Sequence, residues 1–173
     1  MAINDSLFTC KSTDWGTPPD FFAMLEGIFG PFTLDPAANK HNAKCPIYYT
    51  EKDNGLTKDW KGRVFLNPPY GMETGDWMNK AYHEAVVHRN AEMVVCLVAA
   101  RTDTQWWHAY CMQADELYFV KGRLKFSGSQ NSAPFPNAVV VFRNPSMHPA
   151  WARTGKRKAM GSLTKDGKIE LFQ

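Results

Sequence analysis

Three short stretches of the chain combine residue types that could act on a planar amine. In "NPPY", residues 67–70, each proline locks its own φ and pushes the residue before it toward extended geometry. The segment is therefore stiff before any ligand arrives, and the Asn67 amide and the Pro68 carbonyl are held as two acceptors. Pro69 completes the rigid pair, and Tyr70 offers a ring for stacking. Two such acceptors suit the exocyclic amine of a nucleobase, a poor nucleophile because its lone pair is delocalised into the ring. Acceptors on both N–H bonds favour the pyramidal form and stabilise the positive charge that develops on attack. The same four residues also read as an Asn-Pro turn with a half-buried aromatic.

"LDPAA", residues 34–38, places Asp35 at the end of a short apolar run, with Pro36, Ala37 and a second alanine that let a ligand approach closely. A carboxylate there can hold an amino group; equally, Asp followed by Pro can start a helix. "DWGTPPDFF" offers Trp15 as an apolar cover and Thr17 and Pro18 at a helix start, where free N–H groups can meet a carboxylate. It also reads as a simple capped helix.

The elements that must position these residues follow from periodicity. Phe21, Phe22, Leu25, Ile28 and Phe29 recur at helical spacing after Thr17 as cap, and Gly30 and Pro31 end the helix. "FTLD" and "RVFLN" read as strands delivered to a polar or proline-bearing edge. "WMNKAYHEAVV" reads as a helix and "MVVCLVAA" as a strand covered on both faces. "DTQWWHAYCMQA" reads as a further helix, and "ELYFVKG", "RLKF" and "NAVVVF" as late strands. An α/β sheet finished by an antiparallel hairpin is expected, as one domain at residues 1–145 with a basic extension at 146–173.

Composition narrows the class. At 173 residues, 44% apolar and 21% charged, the chain can bury a core and is not of disordered composition. The net charge of +3 is small, but Arg153, Lys156, Arg157 and Lys158 crowd one short stretch. No apolar segment approaches the length needed to cross a bilayer, so no membrane association and a cytoplasmic location are expected. Cys10, Cys45, Cys96 and Cys111 contain no C-x-x-C pair; reduced thiols and no metal site are expected.

Taken in order, "TPP", "LDPAA" and "NPPY" resemble the S-adenosylmethionine-dependent amino-methyltransferases of DNA, and most closely the small phage-type DNA N6-adenine methyltransferases. "DNGLTKDW", "ARTDTQWW", "KGRLKF" and "PFPNAVVVF" extend the resemblance over about residues 14 to 143. It implies a Rossmann-like methyltransferase sheet, mostly parallel, S-adenosyl-L-methionine as methyl donor, and an adenine flipped out of double-stranded DNA, because the amine is otherwise inside the stack. It implies catalytic roles for Asn67, Pro68, Pro69 and Tyr70, and cofactor contacts from Trp15, Thr17, Pro18, Asp35, Pro36, Ala37, Asp53 and Asn67.

Two departures stand out. "LDPAA" lacks a glycine-rich turn, and the interval from Asp35 to Asn67 is short for the usual strand with its acidic ribose ligand. An abbreviated sheet is expected, with Glu51 or Asn42 as guesses for the ribose. No separate recognition domain is visible, so DNA contacts are expected from loops around the site, with Arg101, Lys121, Arg123, Lys125, Arg153, Lys156, Arg157 and Lys158 on the backbone. Solvated surface charge accounts for these residues equally well. Methylation of RNA or of a protein glutamine, and a catalytically silent DNA-binding module, remain open alternatives.

Overall fold

A computed structural model describes residues 15–127, 129–147 and 159–172. Cys10, Arg153, Lys156, Arg157 and Lys158 lie outside the described residues.

The first helix, α1 (Pro19–Phe29), buries Phe21, Phe22, Leu25 and Phe29 on one stripe. Its N-cap is Pro18, without a side-chain cap, so the expected cap at Thr17 is not formed. The physical reason is Pro18 itself, which disfavours helical geometry in the residue before it. Pro19 opens the helix where its missing N–H is not needed. Gly30 ends it at φ 86°, its N–H donating to Glu26 O.

Two very short strands follow, β1 (Leu34–Asp35) and β2 (Ile47–Tyr48), then β3 (Gly62–Leu66), α2 (Thr74–Tyr82) and β4 (Ala91–Ala99). α2 continues into one π-helical turn at His83–Val87. The next helix, α3 (Gln105–Ala109), is only five residues long, shorter than the sequence suggests. β5 (Glu116–Val120) and β6 (Asn137–Arg143) form the expected antiparallel pair. "RLKF" is not a strand; Leu124 and Phe126 are instead buried by side-chain packing.

All strands join one sheet, with order β2-β1-β3-β4-β6-β5 followed by β7 (Ala159–Leu163) and β8 (Ile169–Leu171). β1 to β4 run parallel, and β5 and β7 share their direction. β6 is inserted antiparallel between β4 and β5, and β8 runs antiparallel on β7. The sheet is thus mostly parallel, as expected, and the short interval between Asp35 and Asn67 holds an abbreviated strand, the two-residue β2. It also extends past the anticipated boundary at residue 145. β7 escapes notice in the sequence because glycine and serine, at Gly161 and Ser162, interrupt its apolar pattern. Gly161 lies so close to β8 that a Cβ would stand 2.4 Å from Glu170 O.

Alternate residues of β3 and β4 feed two cores. Phe65, Met93, Val95 and Leu97 pack with α1, whereas Val64, Leu66, Val94, Cys96 and Val98 pack with Trp77, Met78 and Ala81 of α2 and Trp107 of α3. Burial on both faces explains why β4 is a continuous apolar run. Cys45, Cys96 and Cys111 are free and buried, and burial raises all three thiols above their ordinary range. They act as small core residues. Parallel direction has one decisive consequence: Asp35 ends β1 and Asn67 follows β3, so both emerge at the same, carboxyl edge of the sheet. Open α/β sheets form their ligand crevices at that edge.

Candidate active site

The carboxyl edge holds a cleft of about 850 Å³. Trp15, Thr17, Asp35, Pro36, Ala37, Asn67, Pro68, Pro69 and Tyr70 all line it, so the sheet brings together three stretches that are far apart in sequence. Glu51 and Asn42 line it too; Glu51 stands three residues beyond β2, at the same edge as Asp35.

Asp35 is 4% exposed. Its Oδ2 accepts from Lys44 N at 3.1 Å. Burial raises its pKa from 3.8 to about 6, against the opposing influence of backbone N–H groups of Lys44 and Ala37 and of the Lys44 charge. Desolvation therefore prevails over these partners. A carboxylate in that condition gains most from a cationic ligand that restores what water no longer supplies.

The NPPY turn is held on two sides. Thr74 Oγ1 accepts from Gly71 N at 3.1 Å and donates to Pro69 O at 2.9 Å. On the other side Asn67 Nδ2 donates to Trp15 O at 2.5 Å and to Thr17 Oγ1 at 3.1 Å. The Asn67 Oδ1 is buried and has no partner. Tyr70 packs edge-on to Phe126 and tilted on Phe135, with ring centroids at 6.0 and 5.1 Å, and its hydroxyl donates to Leu97 O at 3.4 Å. Burial keeps this phenol neutral, far above its ordinary pKa.

Four buried side-chain polar atoms among the described residues lack a hydrogen-bond partner: Trp15 Nε1, Asn67 Oδ1, Trp77 Nε1 and Asn137 Oδ1. The first three belong to residues lining this cleft. Such atoms are uncommon in native structures, and each costs on the order of 1–3 kcal/mol when left unpaired. Their concentration here, with the buried Asp35 carboxylate, fits a polar ligand carrying both donors and acceptors.

Some expected contacts are placed elsewhere. Pro18 and Asp53 lie outside the cleft lining. The Asp53 carboxylate is taken up by Thr50, whose hydroxyl and backbone N–H donate to it at 2.6 and 2.9 Å. The useful residue of "DNGL" is instead Gly55. A Cβ there would meet Pro36 O at 2.1 Å, so the loop can lie against the Asp35–Pro36 turn only without a side chain. Trp60 Nε1 donates to Gly55 O at 2.9 Å and its ring stacks on Trp77, which fixes the loop from beneath. We expect Gly55→Ala to push the Pro36 turn away and weaken binding of the S-adenosylmethionine that the resemblance implies by about ten- to hundredfold, as measured by titration calorimetry.

Of the expected DNA contacts, Arg101, Lys121, Arg123 and Lys125 follow β4 or β5 at the carboxyl edge and are exposed. Arg101 pairs with Asp103 at 3.5 Å, and Arg123 Nη1 donates to Ala133 O at 3.4 Å. Lys121 is paired with Glu170 of β8 at 2.5 Å, a partner that only the late strands supply. Trp107 is core and Trp106 half-buried beside it. The reading of residues one by one missed Thr74, Trp77 and the Phe126–Phe135 pair. Phe126 lies in "KGRLKF", whose Lys121, Arg123 and Lys125 are expected on the DNA backbone, and Phe135 in "PFPNAVVVF"; neither aromatic is singled out by the sequence.

The mostly parallel sheet with its inserted antiparallel strand, and a cleft between the β1 and β3 ends, define a Rossmann-like methyltransferase. Residues 7–164 match the model of the DNA N-6-adenine-methyltransferase (Dam) family, and the chain belongs to that family. It is 34% identical over 113 residues to the DNA N-6-adenine-methyltransferase of Escherichia phage T1, a match covering 64% of this chain and 45% of the phage protein. It is 32% identical over 119 residues to the DNA N-6-adenine-methyltransferase of Haemophilus phage HP1, covering 67% of each. Among the described residues no helix is long and apolar enough to cross a membrane.

Proposed function

We propose that the chain transfers the methyl group of S-adenosylmethionine to the N6 amine of an adenine flipped out of double-stranded DNA, in the cytoplasm of its host cell. The observation that carries this reading is the pairing, in one cleft, of the buried Asp35 carboxylate with the unpartnered Asn67 Oδ1.

The donor supplies an electrophilic methyl group on a sulfonium sulfur. Asp35, with Thr17, Pro36, Ala37 and Trp15 around it, would hold the amino-acid end of that molecule, and Glu51 or Asn42 the ribose. Asn67 Oδ1 and the Pro68 carbonyl would accept the two N–H bonds of the adenine amine. They withdraw the amine from ring conjugation and stabilise charge as the nitrogen is methylated. Tyr70, braced by Phe126 and Phe135, would stack on the flipped ring. The bonding pair of the broken C–S bond would stay on the donor sulfur, and the amine's proton, made acidic by the new N–C bond, would pass to solvent, so no strong base is required. Transfer is thus driven by positioning and by preorganised acceptors.

The loop after Tyr70 carries Met72, a fully exposed apolar side chain at the rim, where duplex DNA would pass. Arg101, Arg123 and Lys125 would meet phosphates on the same edge, and Arg153, Lys156, Arg157 and Lys158 would add to them, a contribution that salt should weaken strongly.

The test is incubation of the pure protein with labelled S-adenosylmethionine and unmethylated duplex DNA, followed by digestion to nucleosides. Label in N6-methyladenine is the expected result. Label on RNA or protein with none on DNA would overturn the reading.

A further inference from the structure

The Asn67 side chain has chemically opposite ends of almost equal size, so its function depends on which end points where. An amide that flips presents donors in place of an acceptor. The barrier to that exchange comes from a segment some fifty residues earlier in the chain. Nδ2 donates to Trp15 O and to Thr17 Oγ1, and a backbone carbonyl can only accept. A flipped amide would set Oδ1 against Trp15 O at close range.

The segment is itself fixed. Gly16 bridges Ser127 through Ser127 N donating to Gly16 O at 2.8 Å, and Ser127 Oγ donates to Thr17 O at 3.4 Å. Trp15 sits edge-on against Phe126 and Phe135. Thr17 is 2% exposed and, with Pro18 as the helix cap, its hydroxyl is not spent on α1.

We infer that Thr17, together with the Trp15 carbonyl, is a positioning residue for Asn67, locking the amide so that Oδ1 is kept as the acceptor for the target amine. This deepens the proposed function and rests on the role assigned there to Asn67. The "TPP" stretch then serves the acceptor side of the reaction as well as the donor side.

The experiment compares wild type with Thr17→Val, Thr17→Ser, Asn67→Asp and Asn67→Ala, measuring kcat at saturating substrates, the methyl-donor Kd and Tm. Thr17→Val removes the acceptor at nearly constant shape; kcat should fall about ten- to hundredfold, a loss that saturating methyl donor does not restore, with Tm lowered by no more than about a few degrees. Thr17→Ser should restore kcat to within a few-fold. Asn67→Asp should also lose most of its kcat although a carboxylate is the stronger acceptor, because its second oxygen would face Trp15 O. The inference is overturned if Thr17→Val keeps its kcat, if it loses donor affinity while kcat at saturation survives, or if Asn67→Asp remains active. Asn67→Ala separates the levels. Inactive Asn67→Ala beside active Thr17→Val sinks the positioning role alone, active Asn67→Ala sinks the role assigned to Asn67 and the inference with it, and only a wild type that places no methyl group on DNA sinks the functional reading.

Discussion

Asn67→Ala is expected to lower kcat about 10²–10³-fold, the usual consequence of removing one preorganised group from a developing charge, while methyl-donor binding changes little. The variant deletes the one unsatisfied atom of the amide, Oδ1, which relieves a desolvation penalty. It also deletes the two bonds from Nδ2 to Trp15 O and Thr17 Oγ1, leaving both acceptors unpaired. The relief is on the order of 1–3 kcal/mol and each abandoned acceptor costs on the order of 1–3 kcal/mol, so folding stability should fall by roughly 1–3 kcal/mol. Rate should therefore collapse in a protein that still folds and binds its donor. Single-turnover methyl transfer, donor calorimetry and a urea titration on the same preparation check all three parts.

Asp35→Asn is expected to divide stability from function in the opposite sense. Burial raises the Asp35 pKa from 3.8 to about 6, so between those values the folded chain holds a proton that the unfolded chain releases. Folding stability from this group consequently falls as pH rises through that window. The penalty is absent below about pH 4 and complete above about pH 6, where the displacement corresponds to at most about 3 kcal/mol. Asparagine keeps an oxygen for Lys44 N and never ionises. The ligand-free variant should be more stable than wild type by about 1–3 kcal/mol at pH 7.5 and no more stable at pH 4. Methyl-donor affinity should fall about tenfold or more, because a charge-assisted bond to a buried carboxylate is lost. In wild type the same affinity should decline below about pH 6 as Asp35 takes up a proton. Thermal melts at the two pH values and donor titrations from pH 5 to 8 measure these effects. Equal stability of variant and wild type at pH 7.5 would contradict the burial argument.

Such a trade is common at binding sites, where a group useful to a ligand is held against the preference of the empty fold. Asp35 and Asn67 show two forms of it, one an under-solvated charge and the other an acceptor without a donor. Under the proposed function, both would become favourable only when the complementary group enters.

Much of this organisation was legible in the sequence. Apolar periodicity and the prolines placed α1, the β1, β3 and β4 strands and the rigid NPPY turn, because those signals are local and depend on residues within one or two turns of each other. The order of "TPP", "LDPAA" and "NPPY" pointed to the candidate site, and parallel strands then obliged Asp35 and Asn67 to share an edge. Other features depend on partners distant in the chain, which no local pattern records. β7 reads as Ala-Met-Gly-Ser-Leu and becomes a strand only beside β5. Gly55 is required because Pro36 O lies where a side chain would be. Lys121 is neutralised by a glutamate on the last strand. Thr17 resembled a helix cap, and the tertiary structure turned its hydroxyl to Asn67 instead. The residue types capable of the chemistry were thus written in the sequence, but which atom of each is free to act was decided by long-range hydrogen bonds and burial.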